Sequence, residues 1–203
     1  MNFLVKMSHV TMFSHTKTNK YPYLYKMEMS KIVIISGSPR KNGKTQVLMK
    51  YVSDYIKEKN SDTKFINLSE GGVDYYTGDG NHSESTKEIV KNVTEADVWF
   101  VGTPIYNSFF SSALKNLFEY IDYRKTEGKT AGLVVLASGN IGFTDVQTLL
   151  TQLMSYFKVI TNPKAVFVTA DTIENGEIVN DDVKTRLQTL IDQTLALATR
   201  TRA

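Results

Sequence analysis

The chain has 203 residues, 41% of them hydrophobic, enough for one domain with a full core and no need of covalent staples. It contains no cysteine, which excludes disulfides, thiolate zinc sites, iron–sulfur clusters and cysteine nucleophiles, and which fits a reducing cytoplasm. The formal net charge of +3 resides in residues 1–30, which carry four Lys and one Glu; the balanced remainder gives no reason to expect nucleic acid. No run is long enough to span a membrane, and the first thirty residues lack a sustained apolar signal core.

Residues 1–30 show neither helical nor strand periodicity and hold five of the seven Met. This stretch reads as a disordered arm, or as a non-native extension with the start at Met27 or Met29. Residues 31–203 form the folded domain. Ile32 to Ile35 is a β-branched run, expected as a strand buried on both faces. Ser36 to Gly43 is too rich in Gly, Pro, Ser and Asn to continue it, and Val47, Leu48, Tyr51, Val52, Tyr55 and Ile56 then fall on one helical stripe. Lys64–Leu68 predicts a second strand, residues 69–83 a long turn-rich loop, and Glu84–Glu95 a helix. Tyr75 and Tyr76 in that loop are candidates to line a ligand or a partner, or are simple surface packing.

Asp97–Thr103 is the third expected strand, broken at Pro104 and followed by a helix carrying Ala113, Leu114, Leu117, Phe118 and Ile121. Leu133–Ala137 and Ala165–Thr169 complete a set of five strands. An amphipathic helix built on Val146, Leu149, Leu150, Leu153, Met154 and Phe157 separates these two, and Val183, Leu187, Leu190 and Ile191 mark a last helix. Buried strands alternating with amphipathic helices predict an α/β fold. The expected form is a doubly wound, flavodoxin-like parallel sheet of order 2-1-3-4-5, with ligands beyond the carboxyl ends of strands one and three.

The three histidines are His9, His15 and His82, two in the N-terminal stretch and one in a polar loop, so a Ser-His-Asp triad or multi-histidine metal site is not expected in the body. Without Cys or a histidine in the core, the side chains offer little redox or nucleophilic chemistry, and an enzyme of this composition is expected to rely on a bound cofactor. Ser36–Gly43 joins a buried strand to a helix N-terminus, where backbone N–H groups and the helix dipole suit an anion. Arg40 and Lys44 add charge, and Ser36, Ser38 and Thr45 add hydroxyls. A Walker A loop needs four residues between its glycines, but Gly37 and Gly43 have five, and neither later strand closes on an acid for Mg²⁺. A P-loop nucleotide-binding protein therefore ranks behind a phosphate cradle of another kind. Pro104, Ile105, Tyr106 and Asn107 supply a ring face and amides for a flat heterocycle, and Ser138, Gly139 and Asn140 can reach its far edge. One phosphate plus a planar polar heterocycle describes FMN. No G-x-G-x-x-G follows the first strand to favour a dinucleotide.

These segments carry a resemblance. GSPRKNGKT after the first strand, TPIYNSFFSSALKNLFEY after the third and SGNIGF after the fourth resemble the NADPH-dependent FMN reductase family, over about residues 31–200. The resemblance implies that Ser38, Arg40, Lys44 and Thr45 hold the FMN phosphate, with Asn42 closing the loop. It places Pro104, Ile105, Tyr106 and Asn107 on the isoalloxazine and Ser138, Gly139 and Asn140 on its pyrimidine side. Lys44 departs from the commoner Asn or Ser of the family. The implied reaction is hydride transfer from NADPH or NADH to flavin N5 and on to a small-molecule acceptor such as a flavin, a quinone, an azo dye or a metal oxyanion. It needs no acid or base from the protein. Arg40 has a second implied role on the NADPH 2′-phosphate. A flavin-dependent monooxygenase as recipient of reduced flavin is also implied, as is a homodimer or homotetramer, with Tyr75, Tyr76, Phe109 and Phe110 as candidates for its interface and helix-to-sheet packing as the alternative for the two phenylalanines. The competing reading is a flavodoxin-type electron carrier, against which stand the neutral core and the basic loop.

Overall fold

The computed structural model describes residues 30–59 and 62–201; the N-terminal stretch expected to be a disordered or non-native extension lies, but for Ser30, outside them. The first strand, β1 (Ile32–Ser36), is buried at every position. It pairs in parallel with β2 (Thr63–Asn67) on one side and β3 (Val98–Tyr106) on the other. Beyond β3 lies β5 (Thr130–Ala137), again parallel, in register from Val98↔Thr130 to Pro104↔Leu136. The far edge is one strand line in two pieces, β6 (Ile160–Thr161) and β7 (Val166–Thr169), both on β5. The five expected strands thus stand in the order 2-1-3-4-5.

Period-two alternation divides the core between the two faces. Ile32, Ile34, Val98, Phe100, Val134 and Leu136 face α1 (Lys44–Lys57) and α5 (Asp181–Thr201). Val33, Ile35, Trp99, Val101, Leu133 and Val135 face α2 (Glu84–Glu95), α3 (Ser112–Glu119) and α4 (Phe143–Tyr156). The two long helices α1 and α5 are also tied by Asp192, which lies 3.2 Å from Lys59. Burial works against the Lys59 charge, but Asp192 and Tyr55 offset it and leave the ammonium pKa raised.

Two features depart from the sequence expectations. The third strand does not break at Pro104: it runs on through Ile105 and Tyr106, turns at Asn107–Ser108, and returns antiparallel as β4 (Phe109–Phe110). Proline removes one ladder donor but has an extended conformation open to it, and Asn107 and Ser108, at φ 49° and 65°, form the left-handed two-residue turn that a tight hairpin requires. The helix that follows ends at Glu119, before Ile121. Asn175–Gly176 makes a similar turn between two short strands, β8 (Ile173–Glu174) and β9 (Glu177–Ile178).

The loop 69–83 is pinned to α3 rather than left free. Asn116 Nδ2 and the Tyr120 hydroxyl both donate to the Asp74 carbonyl, and the Tyr76 N–H donates to Asn116 Oδ1. Tyr76 meets the Tyr120 ring edge-on at 5.0 Å, which places it in surface packing, while Tyr75 is 84% exposed. The Ser83 N–H donates to the Asp74 carboxylate at 2.6 Å and, with the Ser83 and Thr86 hydroxyls, holds its pKa below the usual value.

Candidate functional site

The carboxyl ends of β1, β3 and β5 each lead into one of the three unusual loops, which lie side by side. After β1, Gly37 donates to Gly102 O at 2.8 Å, so the loop leaves the strand while still bonded to β3. A Cβ on Gly37 would fall 2.6 Å from that same carbonyl; only glycine permits the approach. The loop then closes on itself: the Arg40 N–H donates to Ser38 Oγ at 3.2 Å, and the Gly43 N–H to Arg40 O at 3.2 Å.

Gly43 is the N-cap of α1 and brings no side chain to accept from the first turn, which also holds no acid. The N-caps of α2 and α3 do have one, since Ser83 accepts from the Thr86 N–H and Ser111 from the Leu114 N–H. The Gln46 N–H turns back to the Gly43 carbonyl at 2.9 Å, and the Lys44 and Thr45 amides ahead of it are left to an external acceptor. Around them the hydroxyl-bearing residues Ser38 and Thr45 are each only 2% exposed. Ser36 Oγ, fully buried at the end of β1, has no partner. Buried hydroxyls beside an uncapped helix end are a donor set for a phosphate. The residues present fit the phosphate of FMN.

The remaining predicted residues of this loop divide. Arg40 and Asn42 are exposed on the rim, Asn42 in the left-handed conformation at φ 53°. Lys44, at the first position of α1, sends its ammonium away to the carbonyl of Ala170, just past β7. Its side chain thus serves the far edge of the sheet.

The second loop is the β3–β4 hairpin. Pro104 is buried, Ile105 and Tyr106 are half-buried and Asn107 is exposed. In the third loop Ser138, Gly139 and Asn140 are all exposed, and a Cβ on Gly139 would meet nothing within 4 Å. Gly142, which caps α4, lies against Ile105: a Cβ there would be 3.6 Å from Ile105 Cδ1. Loops two and three are in contact.

A residue that sequence reasoning did not single out joins loops one and two. Ser111, fully buried, donates to the Gly37 carbonyl, and its N–H donates to Thr103 Oγ1 at 3.1 Å. A serine just ahead of an apolar helix signals an N-cap. Nothing in the local pattern signals a bond across 74 residues to the first loop. Among the described residues there is no group of three or more His, Asp or Glu able to hold a metal.

Comparison with known proteins follows the same elements. The profile of the NADPH-dependent FMN reductase family matches residues 30–172, a span that contains all three loops. The chain belongs to this family. Among similar proteins is an NADPH azoreductase from a Bacillus species, 30% identical over 155 residues, 74% of this chain and 83% of that one. An NAD(P)H-dependent FAD/FMN reductase from Geobacillus thermodenitrificans is 27% identical over 132 residues, 64% of this chain and 71% of that one. Among solved structures, the flavoenzyme NAD(P)H:(acceptor) oxidoreductase FerB of Paracoccus denitrificans shares the fold, with a TM-score of 0.69 over 84% of this chain and 98% of that one, at 20% identity. As an FMN reductase family member the chain is an oxidoreductase that works with FMN and takes electrons from NAD(P)H. None of the described helices is long and apolar enough to cross a membrane.

Proposed function

We propose that the protein takes a hydride from NAD(P)H onto FMN seated across the three loops and passes the electrons to a small planar acceptor, a flavin, a quinone or an azo compound. The observation that carries this reading is the uncapped start of α1 enclosed by Ser38 and Thr45, with Tyr106 and Asn140 on the two loops beside it. The α1 amides, Ser38 and Thr45 bind the phosphate, with Arg40 adding charge and Asn42 shaping the rim. Pro104, Ile105, Tyr106 and Asn107 form one wall for the ring, and Ser138, Gly139 and Asn140 supply donors at its pyrimidine edge, where the reduced ring gathers negative charge. The flavin supplies the hydride chemistry, so the protein's work is to hold, orient and tune it. A quinone or azo acceptor is supported by relatives, among them the Bacillus NADPH azoreductase and a 2-hydroxy-1,4-benzoquinone reductase from Burkholderia.

The test is the visible spectrum of protein purified without added flavin, before and after anaerobic NADPH. A flavin band that bleaches with NADPH or NADH is expected. A band that bleaches only with dithionite would favour the electron-carrier reading. The double substitution Ser38→Ala, Thr45→Val removes two buried hydroxyls and is expected to weaken FMN binding about tenfold to a hundredfold, read by fluorescence titration.

We also propose a homodimer. A groove of about 710 Å³ lies between the hairpin, the start of α3 and α4, lined in part by Tyr106, Phe109, Leu149, Leu153 and Tyr156. Phe109 is 57% exposed and Tyr156 63%, an apolar surface continuous with the flavin loops. Phe110, by contrast, packs inward against the core. The expected result is a dimer in light scattering that Phe109→Glu with Tyr156→Glu converts to monomer. A monomeric unsubstituted protein would remove this proposal and leave the flavin site standing.

A further inference from the structure

A second cavity, of about 560 Å³, starts at Asn42 on the rim of the first loop and runs down the outer side of α1. Its wall extends from Gln46 to Asp54, about 12 Å along the helix axis, a length on the scale of one nucleotide. The β8–β9 hairpin closes the opposite side with Gly176 and Glu177, and α5 contributes Lys184. We propose that this cavity holds the adenosine end of the nicotinamide donor, an inference that rests on the flavin-reductase reading.

The lining has the parts a nucleotide needs. Tyr51 is a fixed aromatic wall, because its hydroxyl accepts from Gln188 Nε2 at 2.8 Å. A purine packs on such a ring, and the Gln46 side-chain amide suits its polar edge. Asp54 and Glu177 can accept from ribose hydroxyls, the role an acidic residue plays toward an unphosphorylated ribose. Lys50 and Lys184 provide the opposite preference, attraction for a ribose 2′-phosphate. Lys184 is paired with Asp181 at 3.0 Å, and Asp54 has Lys57 only at 3.9 Å. Among the described residues, Arg40, Lys41 and Lys50 take part in none of the ion pairs. Arg40 and Lys41 stand exposed on the first flavin loop, next to Asn42 where that loop opens into the cavity, placed to meet the pyrophosphate that joins the two halves of the donor.

Two carboxylates and two ammonium groups face one another across this cavity. The consequence is a donor site that accepts both NADH and NADPH, with the preference set by the balance of these four charges.

The experiment titrates flavin-loaded protein with AMP and with AMP bearing a 2′-phosphate, by calorimetry. Both are expected to bind, with affinities within about threefold of each other. Lys50→Glu with Lys184→Glu is expected to weaken the 2′-phosphorylated probe about tenfold and AMP less. Asp54→Asn with Glu177→Gln is expected to favour the 2′-phosphorylated probe about tenfold, with KM for NADPH falling in step and kcat unchanged. Lys50, Asp54 and Glu177 are exposed and Lys184 is half-buried, and thermal melts check that the variants keep their fold. Failure of both probes to bind, or affinities and KM values unchanged in both variants, overturns the assignment. If FMN still binds and bleaches with NADPH in that case, the flavin reading stands and the adenosine lies elsewhere. If FMN neither binds nor turns over, both fall together.

Discussion

Alanine at Gly37 is expected to weaken FMN binding at least about a hundredfold and to cost about 2–4 kcal/mol of stability. The reason is steric and local. The added Cβ lands 2.6 Å from the Gly102 carbonyl and 3.3 Å from Leu114, backbone on one side and a fully buried side chain on the other. Neither can yield, so the loop must lift. In lifting it loses the bond from its own N–H to Gly102 and the one that its carbonyl accepts from Ser111. The phosphate donors beyond it move with the loop, so binding suffers more than stability. Gly139→Ala is the comparison that separates the two effects. Its Cβ enters open space, so stability changes little, and any loss of flavin affinity there reports contact with the ring itself. Chemical denaturation and FMN titration on both variants give the answer. Retention of FMN by Gly37→Ala would mean that the first loop does not carry the phosphate.

Trp99→Ala produces the opposite pattern, with a loss of about 3–5 kcal/mol in stability and little change in flavin affinity for the fraction that remains folded. Trp99 is fully buried and packs against Phe118 at 5.8 Å and Phe157 at 6.4 Å between ring centroids. Its indole N–H donates to the Val93 carbonyl at 2.9 Å, fixing α2 to the sheet. Alanine leaves a cavity where these rings met and a carbonyl without its donor. Trp99 lies near the start of β3, and the flavin loop begins about 17 Å further along the strand, so the damage stays away from the site. A urea midpoint that falls with the slope preserved is the expected signature. An unchanged midpoint would show that this cluster does not anchor α2 and α4.

The two substitutions show why the fold was more legible in the sequence than the site. Sheet order and helix placement follow from hydrophobic periodicity. The unbroken apolar runs Ile32–Ile35 and Val98–Val101 had to be buried on both faces, and parallel β-α-β connection leaves few ways to do that. The uncapped helix start proposed as the phosphate cradle was legible too, because a strand, a small polar loop and a helix N-terminus are written in consecutive residues, from Ser36 to Thr45. The departures arise where a neighbour outweighs a local signal. Pro104 reads as a strand breaker, yet pairing with Leu136 on β5 and with β4 beyond it carries the strand on to Tyr106. Lys44 reads as a phosphate ligand by its place in the loop, but its long side chain finds a carbonyl on the far edge of the sheet.

By itself, then, the sequence determined a five-stranded flavodoxin-like domain, an FMN-type ligand and the three loops proposed to seat it, since each is encoded by residues close together in the chain. Only the tertiary structure decided how the loops are joined. The bond from Ser111 to Gly37, the approach of Gly37 to Gly102, the seat of Gly142 on Ile105 and the cavity between α1 and the β8–β9 hairpin all pair residues far apart in sequence. Such pairings depend on how helices settle on a sheet, and no period of two or of 3.6 residues records them.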